Sequence, residues 1–261
     1  MDVVAVQQAS GPDAAANRAW VREVIESRAG ADDLIVLPEA TQMAFGDRPD
    51  PLARLAETTD GPFVSMLVEL SDAGPAIVAG MFEQSDDPLR PFNTTVVVSG
   101  GELLASYRKI HLYDALGFIE SAGVTAGEPG GENLVVVEVA GARVGVLTCF
   151  DLRFPELSAE LVDRGAQVLV LGAAWVPGPR KDEQFRSLLE ARAIETTSFV
   201  VAAAQPRPRY CGHSAILAPT GEILAEAGTQ TEVISASIDV SALESIRASM
   251  PVISSRRLRG S

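Results

Sequence analysis

The sequence feature that most constrains the fold is a series of short, unbroken apolar runs, many of them rich in valine, separated by amphipathic segments. We predict strands at these runs, which lie at residues 3–6, 34–37, 76–81, 94–98, 134–139, 144–148, 168–171, 199–203 and 214–218. Runs without alternating polar residues are typical of strands that are covered on both faces. The pattern therefore indicates an α/β fold in which sheets are layered between helices.

Helices and turns complete the pattern between these runs. Helices are predicted, from apolar residues at helical spacing, at 14–28, 62–71, 155–164 and 182–195. Residues 94–107 and 214–226 each contain a glycine-bearing turn between two strand-like segments, which indicates antiparallel hairpins and therefore mixed sheets. Because no linker or low-complexity tract divides the chain, we predict a single domain over 1–261. Residues 251–261, which are rich in arginine, are expected to be a frayed end or a dimer-docking arm.

Composition and charge exclude some classes of binding partner. The chain has 35 acidic and 21 basic side chains and a net charge of −14, so it has no general electrostatic attraction to nucleic acid or to an anionic membrane. No apolar stretch approaches the roughly 18 residues of a membrane span, and no basic leader precedes the first apolar run. We therefore expect a cytoplasmic protein with no membrane partner. The sequence has two cysteines and two histidines without metal-ligand spacing, so no structural zinc site is expected. The thiol chemistry described below requires no metal and no organic cofactor, so none is expected.

Three chemically versatile residues stand directly after predicted strands. Glu39 follows the run 34–37, Lys109 follows the second strand of the first hairpin, and Cys149 follows the run 144–148. Taken singly, each has an ordinary explanation, since lone cysteines are usually buried structural residues and lysines are usually solvated. Ligand crevices in layered α/β folds form at the carboxyl ends of strands, where these three side chains could meet. A thiol, a cation and a carboxylate then suffice for nucleophilic catalysis with proton transfer.

The residues that follow Cys149 strengthen this interpretation. Residues 149–156 read Cys-Phe-Asp-Leu-Arg-Phe-Pro-Glu, which indicates a strand that ends in a tight turn before a helix led by Pro155. Such a turn exposes a nucleophile, and the backbone N–H of Phe150 can face an oxyanion. The nearby helix N-terminus would also favour a thiolate over a thiol.

Three ordered segments carry a family resemblance. Residues 37–39 (Leu-Pro-Glu), 107–114 (Tyr-Arg-Lys-Ile-His-Leu-Tyr-Asp) and 148–156 (Thr-Cys-Phe-Asp-Leu-Arg-Phe-Pro-Glu) resemble the signature blocks of the nitrilase superfamily of carbon–nitrogen hydrolases. Further matches, which extend the resemblance over nearly all of the chain, lie at 118–121, 191–195, 202–205 and 212–214. Within the superfamily, the blocks most resemble the branch that holds omega-amidase and deaminated-glutathione amidase.

The resemblance implies a four-layer α-β-β-α sandwich with two mixed sheets, paired through a helical face into a homodimer. It also implies a hydrolase that releases ammonia from a small amide through a thioester, with a 2-oxo acid omega-amide as one candidate substrate. By position, Cys149 is the nucleophile and Glu39 the general base and acid. Lys109 and the Phe150 N–H would bind the oxyanion, and Glu120 matches the family's second glutamate, which orients the lysine and helps with proton transfer.

The substrate pocket is less constrained by the sequence. Trp175 stands in the loop after the strand 168–171, where the amidases of this branch carry another side chain, so the substrate can differ from theirs. We predict that Trp175, Tyr113 and Arg180 line the pocket. A substrate with a carboxylate would need a cation nearby, for which the loop candidates are Arg180, Lys181 and Arg209.

Three alternatives to an amidase remain. A nitrile hydrolase and an N-carbamoyl amino acid hydrolase would use the same nucleophile on a different acyl group. A catalytically inactive binding relative is a further alternative, although such a protein has no need to keep Glu39, Lys109 and Cys149 together. The sequence does not decide among the substrates.

Overall fold

Two six-stranded sheets and the helices that cover them make up the computed structural model, which describes residues 1–28, 33–46 and 52–257. The strands are β1 (Asp2–Gln7), β2 (Leu34–Val36), β3 (Ala76–Glu83), β4 (Phe92–Ser99), β5 (Glu102–Arg108), β6 (Asp114–Ala115), β7 (Phe118–Ile119), β8 (Val136–Val139), β9 (Ala142–Thr148), β10 (Val168–Ala173), β11 (Phe199–Ala204), β12 (Ala215–Leu217), β13 (Ile223–Glu226) and β14 (Glu232–Ser237). The helices are α1 (Ala14–Glu26), α2 (Pro62–Ser71), α3 (Pro155–Asp163), α4 (Lys181–Thr196), α5 (Leu243–Ser249) and α6 (Val252–Ser255).

Both large sheets are mixed, as the hairpins predict. The first has the strand order β14-β1-β2-β3-β4-β5, and the second has the order β13-β12-β11-β10-β9-β8. Strands β1, β2 and β3 are parallel to one another, as are β9, β10 and β11, while the flanking strands join antiparallel. The parallel strands therefore occupy the middle of each sheet, and their carboxyl ends lie together.

The continuous apolar runs are explained by burial on both faces of each central strand. In β1, Val3 and Ala5 belong to the core between the two sheets, whereas Val4 and Val6 pack with the apolar faces of α1 and α2. On the other sheet, α3 packs against β9 and α4 packs against β11. The predicted four-layer sandwich is confirmed.

The two ends of the chain differ in part from the expectation. Strand β14 was not among the predicted strands, because it is an edge strand with exposed residues and lacks a continuous apolar run. Residues 251–257 include α6, in which Ile253 packs against the core, and Arg256 pairs with Asp163 at 3.1 Å. The remainder of the predicted docking arm, 258–261, lies outside the described residues, and a docking role stays a prediction. In the ranges that the structure describes, no helix is long and apolar enough to cross a membrane.

Candidate active site

Cys149 occupies a tight turn at the end of β9. Its φ of +46° lies in the left-handed region, which is uncommon for a residue with a side chain and marks local strain. The 3₁₀ turn Cys149–Arg153 follows, stabilised by a capping box between Thr148 and Asp151. Because backbone N–H groups at the start of such a turn lack partners within it, the Phe150 N–H is suited to bind an anion.

Asp151 fastens this turn to the segment after β5. Its buried carboxylate accepts hydrogen bonds from the Thr148 N–H at 3.0 Å and from the Tyr107 hydroxyl at 2.7 Å. The His111 backbone N–H donates to it at 3.2 Å, and the His111 Nδ1 lies 2.7 Å away. Since Tyr107 and His111 flank Lys109 in sequence, these contacts set the position of the lysine segment relative to the Cys149 turn.

The structure brings Glu39, Lys109, Glu120 and Cys149 into one buried cluster. The Lys109 Nζ lies 2.9 Å from Glu39 Oε1 and 2.8 Å from Glu120 Oε2. Glu39 and Lys109 are each 1% exposed and Glu120 is 3% exposed. The Cys149 thiol lines the same cavity as Glu39 and Lys109, and the charge of the Glu39 carboxylate raises the pKa of this thiol. Residues from four separate segments therefore meet at the carboxyl ends of the central strands.

Sequence reasoning missed two further partners of this cluster. Asn93 Nδ2 donates to Glu39 Oε1 at 2.8 Å and to Glu120 Oε1 at 3.0 Å, so it bridges the two carboxylates. The Ala174 N–H donates to Glu39 Oε2 at 2.8 Å. The available signal for Asn93 was a polar amide at the start of the apolar run of β4. A backbone donor such as Ala174 leaves no trace in the sequence.

The charges of the cluster explain its protonation states. Burial lowers the pKa of Lys109, but the charges of Glu120 and Glu39 outweigh this effect and raise the pKa well above its ordinary value. Burial, followed by the charge of Glu39, raises the pKa of the Cys149 thiol well above its ordinary value, and Lys109 offsets this only in part. Burial and the neighbouring carboxylate therefore favour the neutral thiol. They oppose the thiolate that the nearby helix N-terminus is expected to favour.

Two strand glycines hold the Glu39 loop from opposite sides. A Cβ on Gly80 in β3 would lie 2.5 Å from the Ala40 nitrogen, and one on Gly172 in β10 would lie 2.8 Å from the Glu39 nitrogen. Both distances are too short for any side chain, so the loop is confined between the two sheets. Glycine within a buried strand often marks this kind of close backbone approach.

Replacing Gly172 by alanine is expected to lower kcat/KM by about 100-fold, since it displaces the Glu39 backbone by a fraction of an ångström or more. The measurement is steady-state turnover, with thermal unfolding followed in parallel. Gly130→Ala is the matched control, because a Cβ there would meet nothing within 4 Å. Equal activity of Gly172→Ala and wild type would show that this confinement does not position Glu39.

A cavity of about 270 Å³ opens onto the cluster. Its lining comprises Glu39, Phe45, Lys109, Tyr113, Phe118, Glu120, Cys149, Phe150, Ala174, Trp175, Val176, Lys181, Arg209 and Tyr210. The lining includes the predicted pocket residues Trp175 and Tyr113. The prediction is wrong for Arg180, whose side chain is 81% exposed and pairs with Glu183 at 2.7 Å. The next residue, Lys181, begins α4 and lies in the cavity instead. Across the described ranges, no three His, Cys, Asp or Glu side chains are placed to hold a metal ion.

Comparison with known proteins agrees with this geometry. The sequence profile of the family described as carbon-nitrogen hydrolase matches residues 3–248. A Mycobacterium tuberculosis protein named only as a hydrolase is 38% identical, with 97% of this chain and 94% of the relative covered. An Escherichia coli deaminated glutathione amidase is 37% identical, with 86% of this chain and 84% of the relative covered.

A solved structure gives the same result for the fold. The structure of a Xanthomonas campestris CN-hydrolase superfamily protein, which carries an arsenic adduct in its active site, matches with a TM-score of 0.87 and 26% identity. The match covers 100% of this chain and 98% of that one. The chain therefore belongs to the carbon–nitrogen hydrolase family.

Proposed function

We propose that this protein is a thiol amidase, in which Cys149 attacks the carbonyl of a small linear amide and releases ammonia through a thioester. The observation that carries the proposal is the buried cluster in which the Lys109 ammonium lies 2.9 Å from Glu39 Oε1 and both residues line one cavity with the Cys149 thiol. The thiol has a base to take its proton and a cation to bind the oxygen of the attacked carbonyl. The amidase name of the Escherichia coli relative supports an amide bond as the target.

In the first half of the proposed cycle, the amide becomes a thioester. Glu39 takes the thiol proton while Sγ forms a bond to the carbonyl carbon, and the carbonyl oxygen becomes an oxyanion bound by the Lys109 ammonium and the Phe150 N–H. Glu39 then gives its proton to the amide nitrogen. The carbon–nitrogen bond breaks, the carbonyl re-forms and ammonia leaves, so that the acyl group remains on Cys149.

In the second half, water replaces the thiol. Glu39 takes a proton from a water molecule as its oxygen attacks the thioester carbon, and the same two donors bind the new oxyanion. The carbon–sulfur bond then breaks, and Glu39 returns the proton to sulfur while the acid departs. Glu120 accepts hydrogen bonds of 2.8 and 3.1 Å from the Lys109 ammonium and so holds it in position. These steps use three side chains, the Phe150 backbone N–H and water.

The substrate class is tested by ammonia release from butyramide, succinamate, butyronitrile and N-carbamoyl-β-alanine at equal enzyme concentration. The proposal predicts that kcat/KM is at least about 10-fold higher for one of the two amides than for the nitrile or the carbamoyl compound. A preference for the nitrile or the carbamoyl compound would assign the alternative hydrolase classes. Failure to hydrolyse any of the four would favour an inactive binding relative.

We also propose that the protein acts as a cytoplasmic homodimer, as the family resemblance implies. Sedimentation equilibrium of the purified protein should give twice the chain mass of 27.5 kDa. A monomer at micromolar concentration would contradict the dimer. Fractionation of cells that produce the untagged protein tests the location.

A further inference from the structure

Lys181 is a buried cation in the same cavity as Cys149. The residue is 5% exposed, at the start of α4, and its Nζ lies 4.5 Å from the centroid of the Trp175 ring and 5.1 Å from that of Tyr113. Among the residues that the structure describes, no carboxylate forms an ion pair with it. Burial, followed by the charge of Arg153, lowers its pKa. The ammonium is thus held between two aromatic faces without a counter-ion from the described part of the chain.

Within the described part of the chain, the Lys181 ammonium makes no hydrogen bond and no ion pair that would explain this placement. The residue does support Trp175, but through its backbone, since the Trp175 Nε1–H donates to the Lys181 carbonyl oxygen at 3.1 Å. An apolar side chain at position 181 would keep that bond. Contact with two aromatic faces offsets only part of the cost of removing an ammonium from water. Basic side chains usually avoid this cost by extending into solvent, as that of the neighbouring Arg180 does.

The Tyr113 ring, which this ammonium contacts, carries a hydroxyl group with unused hydrogen-bonding capacity. The Tyr113 hydroxyl oxygen is buried and has no hydrogen-bond partner among the described residues. Tyr113 lines the same cavity as Lys181, and its backbone N–H donates to Glu120 Oε2 at 2.6 Å, which fixes the tyrosine to the catalytic cluster. The lining of one cavity therefore offers two donors, a buried hydroxyl and a buried ammonium. Carboxylates are well suited to such a pair, because each oxygen accepts hydrogen bonds and the charge offsets that of the lysine.

We propose that Lys181 and Tyr113 form a subsite that binds a carboxylate on the acyl chain of the substrate. This inference rests on the proposed function: Cys149 acts on the amide at one end of the substrate, while the subsite holds the acid group at the other. Apolar side chains of the cavity lining, among them Phe45 and Val176, suit the methylene groups between the two ends. Lys181 takes part in none of the covalent steps, and its role is to select substrates that carry this carboxylate.

The test compares two amides that differ at the subsite alone. Succinamate carries a carboxylate where butyramide carries a methyl group, so the ratio of their kcat/KM values measures recognition of the acid. Lys181→Met should reduce this ratio by about 10- to 100-fold, the usual effect of removing one partner of a buried charged hydrogen bond, and Tyr113→Phe should reduce it by a smaller factor. Arg180→Met is the matched control, because Arg180 neighbours Lys181 in sequence but lies outside the cavity, and its ratio should equal that of wild type.

An unchanged ratio of the two kcat/KM values in Lys181→Met would overturn the subsite, even if activity on both amides fell by the same factor. A binding measurement separates its failure from that of the proposed function. Titration calorimetry of succinamate into Cys149→Ala, with and without Lys181→Met, needs no turnover. The subsite predicts at least about 10-fold weaker binding in the double variant. Equal binding would refute it whether or not the wild-type protein hydrolyses amides. A wild-type protein that binds succinamate through Lys181 but hydrolyses none of the amides would refute the proposed function alone.

Discussion

Replacing Cys149 by alanine is expected to lower kcat/KM for the best amide by about 10⁴-fold or more, the usual consequence of removing a covalent nucleophile. The physical reason is that the remaining groups can bind an oxyanion and move a proton, but no atom remains to form the thioester. The measurement is ammonia release under steady-state conditions. Thermal unfolding should change little, because alanine fills most of the volume of this buried residue.

Cys211→Ala supplies the matched control for this prediction. Cys211 is also a buried free cysteine, but it lies outside the cavity lining. Its substitution should leave turnover within a few-fold of wild type. Full turnover in Cys149→Ala would contradict the mechanism.

Replacing Glu39 by glutamine is expected to move two properties of the protein in opposite directions. Turnover should fall by about 10³-fold, because a neutral amide can neither take the thiol proton nor return it to the leaving nitrogen. The Cys149 thiol should nevertheless become easier to ionise. In the native cluster, burial and then the charge of Glu39 raise the pKa of this thiol, so removing that charge lowers it.

The second effect is measured by the pH dependence of Cys149 alkylation with iodoacetamide. The reactive thiolate appears as pH rises through the pKa of the thiol, so the midpoint of the profile should lie at a lower pH in Glu39→Gln than in wild type. The control variant is Glu156→Gln, which removes an exposed carboxylate just after the Cys149 turn. A midpoint that stays or rises in Glu39→Gln would contradict the assigned charge balance. Retained turnover would exclude Glu39 as the base.

The sequence predicts the fold well because the same requirement, burial of both faces of a strand, recurs along the chain. Each central strand must bury both faces, so valine-rich runs mark them directly, and the helices between them show apolar residues at helical spacing. Strand β14 lacks such a run because an edge strand faces solvent. Its conformation is determined by its pairing with β1, not by the pattern of its own residues. Its six ladder partners along β1 are far away in sequence and leave no local signal.

For the candidate site, sequence order identifies the groups that carry chemistry but not what surrounds them. Glu39, Lys109 and Cys149 could be located because each follows a recognisable strand. The protonation state of Cys149 could not be predicted from the sequence, since it depends on burial and on the distance to Glu39. The sequence offered Arg180, Lys181 and Arg209 as cations for the pocket, and the last two line the cavity. The choice between Arg180 and Lys181 depends on where α4 begins. A shift of one residue there separates a buried side chain from an exposed one.

The most direct test of the thioester mechanism is peptide mass mapping of the enzyme after acid quenching during turnover of its best amide. The account predicts that the acyl group of the substrate is found on the peptide that contains Cys149, that the adduct disappears when substrate is exhausted, and that it is absent from Cys149→Ala. Turnover without any acyl adduct on Cys149, or with the adduct on Cys211, would contradict it.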